Sequence, residues 1–355
     1  MKKRMRLRFL AFAISGLASL TAPTIVGQTP ARAADAPAAP CDRACLEGFV
    51  DQYLTAVVAH DPARLPVTGT VRFTENGQEL ALGDGFWNTA TARGSYKLYV
   101  DDVQRGEVGY FGTMREAGAP VLMALRLKIA GGKISEVETL IARTGLGAMS
   151  AAKSAEDLEK SGGPRPALLE AVPTDKRVSR EELIKTANMY FSGMQMNDGK
   201  GVYPFADDCN RVENGIQTTN NPTLVMPNAP ATPEPEGKET RYSSAWSCKK
   251  QFDSGLLHFV TRVRDRRYPV VDVERGVVFS FIFFDHAAGK YNTFKTPEGS
   301  TVTSGPTTPW TWEIAELFKV YDGKLHEIEA VLDHCPYGMG SGWSSRQDAM
   351  SDRAR

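Results

Sequence analysis

An aspartate followed by a histidine, closing an eight-residue apolar run, is the arrangement in this 355-residue chain best suited to moving protons. The run is Val277 to Phe284 (VVFSFIFF), and Asp285-His286 ends it. Strand alternation puts Asp285 on the face of Val277, Phe279, Phe281 and Phe283, and His286 on that of Ser280, Ile282 and Phe284. One of the pair should therefore point toward the core side. At the rim of an apolar cavity, burial shifts the pKa of either group toward neutrality, as general acid/base catalysis requires. His286 is the expected acid/base, with Asp285 orienting it or acting as the base. The structural alternative has Asp285 capping the following loop and His286 in solvent.

Further polar side chains stand where a ligand would need them. Arg211, Glu213 and Asn214 form a set that recurs in part as Glu75-Asn76. A Glu-Asn-Gly turn that ties down backbone amides explains them structurally, and a ligand contact explains them functionally. Arg262, Arg264, Arg266 and Arg267 surround Asp265 and read either as a solvated strand face or as a clamp for a ligand carboxylate. Arg264 or Arg211 would then stabilise an anion. Trp310 and Trp312 follow Pro309 and either lid a pocket or pack on an edge strand. His326 and His334 share the last apolar run, roughly 26 Å from end to end on an extended strand, too far to bind one metal. His326 remains a candidate ligand contact.

No Gly-rich phosphate loop, Gly-x-Ser-x-Gly elbow, His-Glu-x-x-His or dinucleotide fingerprint occurs, so nucleotide, serine-hydrolase and zinc-protease chemistry find no support and no cofactor is implied. Five cysteines in an oxidising compartment suggest one or two disulfides. Cys209 and Cys248 flank one Pro-rich stretch, and bridging them would tie it down. Cys41 and Cys45 either bridge each other or leave one to reach Cys335. A zinc site on Cys-x3-Cys lacks a second ligand pair.

The elements that must position these residues come in two copies. Leu46 to Asp61 matches Leu183 to Asp198, with Leu46/Leu183, Tyr53/Tyr190 and Asp61/Asp198 identical. Pro66 and Glu75-Asn76-Gly77 match Pro204 and Glu213-Asn214-Gly215. Asp102 to Val108 matches Asp272 to Val278, and Lys128 to Glu138 matches Lys319 to Glu329. The second copy carries two insertions, around Pro222 to Thr240 and Ala288 to Pro309, both rich in loop-forming residues. Each copy begins with a helix, marked by helical spacing from Leu46 to Val57 and by the capping pair Ser179 and Glu182. Extended runs follow at Tyr96 to Val103, Val108 to Glu116, Val121 to Ile129 and Ile134 to Ile141, with Gly131-Gly132 and Asp322-Gly323 as hairpin turns. Helix followed by a curved antiparallel sheet is an α+β unit.

Helix first, strands after, and the closing segments "GGKISEVETLIA" and "DGKLHEIEAVLD" together resemble the nuclear transport factor 2-like superfamily, in its SnoaL-like branch. The first copy is also similar to an uncharacterised secreted module of that superfamily, through Cys41-x3-Cys45, Thr74 to Gly77 and Gly83-Asp84-Gly85-Phe86-Trp87. The resemblance implies two tandem cone-shaped domains, each of helices plus a curved antiparallel sheet enclosing an apolar pocket. It supports a fold and does not choose a reaction.

The expected division is a signal peptide at 1–33, a first domain at 41–143, a linker at 144–178, a second domain at 179–335 and a polar tail at 336–355. The leader reading rests on the basic start MKKRMRLR, the apolar run Phe9 to Val26 and the small-x-small site Ala31-Arg32-Ala33. Its removal leaves 36 cations against 42 anions. An acidic mature chain argues against nucleic acid as a partner. The expectation is a secreted or periplasmic protein, off the membrane after cleavage, with domain–domain or homodimer packing. Its second domain would bind a small, largely apolar organic molecule and carry out cofactor-independent dehydration, isomerisation or ring opening, as a lyase, isomerase or hydrolase. The alternative is a non-catalytic ligand-binding or protein-association module.

Overall fold

The computed structural model describes residues 41–143, 151–224 and 237–355. The leader at 1–33 lies outside the described residues, as do the start of the expected linker and the middle of the first insertion. The first copy opens with helix α1 (Arg43–Val58), whose N-cap Asp42 accepts from the Cys45 amide and whose buried side is Leu46, Val50, Tyr53, Leu54 and Val57. Strands β1 (Val67–Glu75), β2 (Gln78–Leu80), β3 (Ala90–Asp102), β4 (Glu107–Glu116), β5 (Ala119–Ala130) and β6 (Lys133–Ala142) follow. They form one sheet in the order β2-β1-β6-β5-β4-β3.

The connection between copies contains α2 (Ala151–Lys160) and α3 (Pro166–Leu169). The second copy has α4 (Arg180–Met194), strands β7 (Phe205–Glu213) and β8 (Ile216–Gln217), α5 (Cys248–Asp253), β9 (Arg262–Asp272) and β10 (Val277–His286). It continues with β11 (Thr293–Lys295), β12 (Thr301–Thr303), β13 (Trp310–Tyr321) and β14 (Lys324–Cys335), and α6 (Arg346–Ala349) lies in the tail. Its main sheet runs β8-β7-β14-β13-β10-β9, the same path as the first, while β11 and β12 form a separate two-stranded ribbon.

The α+β class and the duplication are observed, with one correction. Each sheet is mixed, because β1 lies parallel to β6 and β7 parallel to β14. The equivalence extends to single pairs: Phe73 pairs with Val137 as Arg211 pairs with Ile328. Asn76 and Asn214, both at positive φ, latch this parallel junction through the same pair of bonds. Each side chain donates to and accepts from one residue of the last strand, Ile141 or Leu332.

Each sheet has a helix face and a seam face. The helix faces bury separate cores around α1 and α4. The seam faces meet across a third core containing Tyr96, Leu98, Phe111 and Leu140 from one copy and Val270, Phe279, Phe281 and Leu317 from the other. A side chain at Gly109 would begin 3.0 Å from the Phe279 ring, so glycine permits the close approach. The seam's rim carries reciprocal ion pairs. Arg43 of the first copy binds Asp272 of the second at 2.7 Å, while Arg180 of the second binds Asp102 of the first. The two copies thus pack on each other within one chain.

The described part of the expected linker, 151–178, and the tail are packed structure. Ala155, Leu158 and Leu168 of α2 and α3 are buried in the seam core. In the tail, Ser351 and Arg355 hydrogen-bond the backbone of β9, and Trp343 stacks against Arg72 and Arg126 and donates to Thr74 at 2.8 Å.

Candidate functional site

The second copy holds a partly open cavity of about 610 Å³ on its helix face. Strand alternation supplies its sheet wall: Arg211 and Glu213 from β7, Phe284 and His286 from β10, Trp312 and Ile314 from β13, and Leu332 from β14. Met194 at the end of α4 and the segment Leu257, Phe259 and Val260 add an apolar side. Both insertions converge on the remainder. Thr240, Arg241 and Tyr242 come from the end of the first, and Thr301 to Gly305 come from the ribbon formed by the second. The 2.10 Å Cys209–Cys248 bridge ties the first insertion's base to β7, and Cys41 bridges Cys45, leaving Cys335 as the free thiol.

His286 is buried beside this cavity. Its ring stacks on Trp310 at 4.0 Å, and Trp310 in turn stacks on His334 at 3.9 Å. Burial pushes the imidazole down to about 4, so it is neutral at pH 7, and its Nδ1 has no hydrogen-bond partner among the described residues. Asp285 points the other way, into the seam face. Its Oδ2 accepts from Arg262 at 2.6 Å and Arg264 at 2.8 Å, and its Oδ1 accepts from Thr311 at 2.7 Å. Burial alone would raise this carboxyl, yet the bonds from Arg264, Thr311 and Arg262 hold it below the usual range. Asp285 therefore does not orient His286, which corrects the expected pair. Adjacent strand residues face opposite sides, and the two serve different cores.

The other candidates divide in the same way. Arg211, Glu213 and Trp312 line the cavity. Arg264 does not, because the carboxylate it clamps is Asp285. Arg267 likewise bonds Glu138 across the seam at 2.7 Å. Asn214 is consumed by the β14 latch. His326 faces Asp208 at 2.8 Å near the start of β14, away from the cavity wall formed by Leu332.

Arg211 is the centre of the polar floor. Its Nε donates to Glu213 at 3.2 Å and Thr218 at 3.1 Å, and its Nη2 donates to Gln251 at 2.7 Å and to the Tyr242 hydroxyl. Tyr242 is pushed up to about 12, first by burial. One step deeper than Ile314 on β13 sits Glu316, only 2% exposed, beside Tyr190 of α4. Burial and the nearby Glu213 push it up to about 8, so it is protonated at neutral pH. Sequence reading passed over Glu316, Tyr190, Tyr242 and Gln251. A carboxylate on the same face as Trp312, Ile314 and Phe318 was a usable signal for Glu316. Tyr242 and Gln251 lie at the end of the first insertion and beyond it, Gln251 on the short helix α5, and neither falls in the blocks that the two copies share.

No helix among the described residues is long and apolar enough to cross a membrane, and the two disulfides fit an oxidising compartment. No curated protein matches the chain. A family model described as a domain of unknown function (DUF8021) matches residues 176–332, from just before α4 into β14, so the similarity covers the copy that holds the cavity.

Proposed function

We propose that the chain is an exported tandem pair of nuclear transport factor 2-like domains, in which the first copy is structural and the second binds a small, largely apolar organic molecule. The cavity itself carries this reading. Its volume of about 610 Å³ falls in the range of small-molecule sites, and its lining sets apolar side chains such as Met194, Leu257, Phe284 and Ile314 beside polar ones such as Arg211, Glu213 and Tyr242. Proton transfer would fall to His286, whose neutral ring can accept a proton from a bound molecule, with Arg211 holding charge that develops on oxygen. Cofactor-independent dehydration, isomerisation or ring opening would need no more.

The test follows the His286 ring by NMR while apolar candidates are added. A saturable ring shift marks cavity binding. Bound molecules are then held in deuterium oxide. Solvent deuterium appearing in the ligand with wild type, and not with His286→Gln, supports proton transfer. Binding without exchange leaves a ligand-binding module, a reading favoured by one observation: Asp285 is occupied by two arginines, so His286 has no carboxylate behind it. An unmoved ring across the whole panel sinks the cavity reading.

A further inference from the structure

The ribbon of β11 and β12 stands where the first copy has only the two-residue turn Ala117–Gly118 between its corresponding strands, and it belongs to the copy that holds the cavity. Its outgoing strand and the turn after it, Thr301 to Gly305, form one continuous piece of the cavity wall. The strand that leads into the ribbon is held firmly to its end. Arg262 and Arg264 clamp Asp285, and the Ala287 amide donates to Thr261 at 3.1 Å. Ala288 and Gly289 then both take positive φ, as Gly305 does on the way out. A fixed strand end followed by a sharp change of backbone direction is where a hinge can sit.

Between these two points the ribbon is a unit. Phe294 pairs with Val302, the tip closes through a 2.9 Å bond from Thr296 to Ser300, and Ser304 donates to Asn292 across the base at 2.8 Å. Among the described residues, the hydrogen bonds of 293–303 all stay inside the ribbon. What joins it to the body is packing. Phe294 and Val302 lie on Leu256 with Tyr242 and Trp246 beside them, and His258 stacks on Phe294 at 4.8 Å. At the tip, Pro297 sits in a notch between Gly199 and Gly255, where a side chain at the first would run into its ring and one at the second would begin 3.0 Å from it. A unit bonded within itself, and to its surroundings only by a small apolar patch, is of the kind that opens locally while the rest of the fold holds.

We infer that residues 289–305 are a lid, hinged at Ala288-Gly289 and at Gly305 and latched by Pro297, which lifts to admit the ligand and closes over it. Resting on the cavity reading above, this lid adds how the site exchanges its contents.

The experiment follows uptake and release of two neutral fluorescent probes, N-phenyl-1-naphthylamine and Nile red, by stopped flow with the full chain. Neither Pro297 nor Phe294 lines the cavity, so substitutions there act on the latch and not on the probe. Pro297→Ala should speed association and dissociation together by about three- to tenfold and leave the equilibrium constant within about twofold, because the closed state loses the same contact whether empty or loaded. Phe294→Ala, which removes the main contact under the lid, should speed both further. Amide hydrogen exchange of wild type needs no variant to fold: the amides of 293–303 should exchange about tenfold or more faster than those of β10 and β13, and slow when probe is bound. Unchanged rates in both variants, or weaker binding with association unchanged, would make the ribbon a fixed wall and overturn the lid while the cavity reading stands. Ribbon amides indifferent to bound probe would do the same. If neither probe binds wild type, the lid and the cavity reading fall together.

Discussion

The two copies share a sheet path and a latch, and differ in what fills the helix face. In the first copy a single turn, Gly85–Asn88, drives Phe86 and Trp87 into the core. Trp87 meets Tyr53 edge-on at 5.3 Å and donates to its hydroxyl at 3.2 Å. In the second copy Tyr190 occupies the place of Tyr53, but no tryptophan arrives. The second copy carries an insertion in sequence there, and its helix face keeps an open cavity. Arg211 and Glu316 replace Phe73 and Leu125, pairing with Ile328 and Ala330 as those pair with Val137 and Thr139. One scaffold thus supports a plugged, apolar domain and a hollow, polar-floored one, and the fold alone would not tell a reader which is which.

The sharpest way to break this contrast is to exchange the roles of two tryptophans. Trp87→Ala should destabilise the chain by about 3–5 kcal/mol in chemical denaturation, because it leaves a void that the surroundings cannot close and strips Tyr53 of its partner. Trp312→Ala borders space that already exists, and should cost under about 2 kcal/mol while changing ligand affinity. Equal costs would mean that the second copy is as tightly filled as the first.

The disulfides differ in the same direction. Cys209–Cys248 closes a separation of 39 residues and Cys41–Cys45 one of 4. Chain entropy predicts losses of about 4 and about 2 kcal/mol for the paired serine variants, read from denaturation midpoints. Loss of cavity binding should accompany only the first.

Smaller and more specific is the pH response. Glu316 is raised to about 8 in the folded state, so its stabilising contribution is complete below the unfolded value near 4.5 and is lost as pH rises through about 8. Glu313 on the seam face, also raised to about 8 by burial and by Glu138, acts in the same window. Wild type should therefore lose stability between about pH 5 and pH 9, and Glu316→Gln should flatten part of that slope. A slope unchanged by both Glu316→Gln and Glu313→Gln would show that neither carboxyl is buried as described.

The smallest expected effect tests sameness instead of difference. Asn76→Ala and Asn214→Ala should each cost about 1–2 kcal/mol, since each removes the same two bonds to the last strand, Asn76 losing besides them only a long 3.4 Å bond to Asp333. A wide gap between them would break the equivalence of the two junctions.

Much of this contrast was legible in the chain itself. The repeated Leu, Tyr and Asp of the first helices and the echoing last strands located both copies, and the turn residues located their hairpins. The parallel pairing of β1 with β6 was not legible, because strands distant in sequence share no local signal for direction. Alternation correctly assigned Asp285 and His286 to opposite faces, and that same fact excludes a shared catalytic unit. The arginines of β9 read as a solvated face or a ligand clamp because the carboxylates that Arg262, Arg264 and Arg267 bind, Asp285 and Glu138, come from a neighbouring strand and the other copy. Ions that satisfy each other internally look, in sequence, like ions waiting for a guest.

The reciprocal bonds of Arg43 to Asp272 and Arg180 to Asp102 give the seam the self-complementary form of a two-fold dimer interface. In a true dimer every substitution is made twice, so hollowing one core hollows both and doubles the cost. Joining the halves in one polypeptide removes that constraint. One half can keep its plug and anchor the fold while the other gives up packing for an opening, and the pair still reaches the concentration-independent association that separate subunits lack.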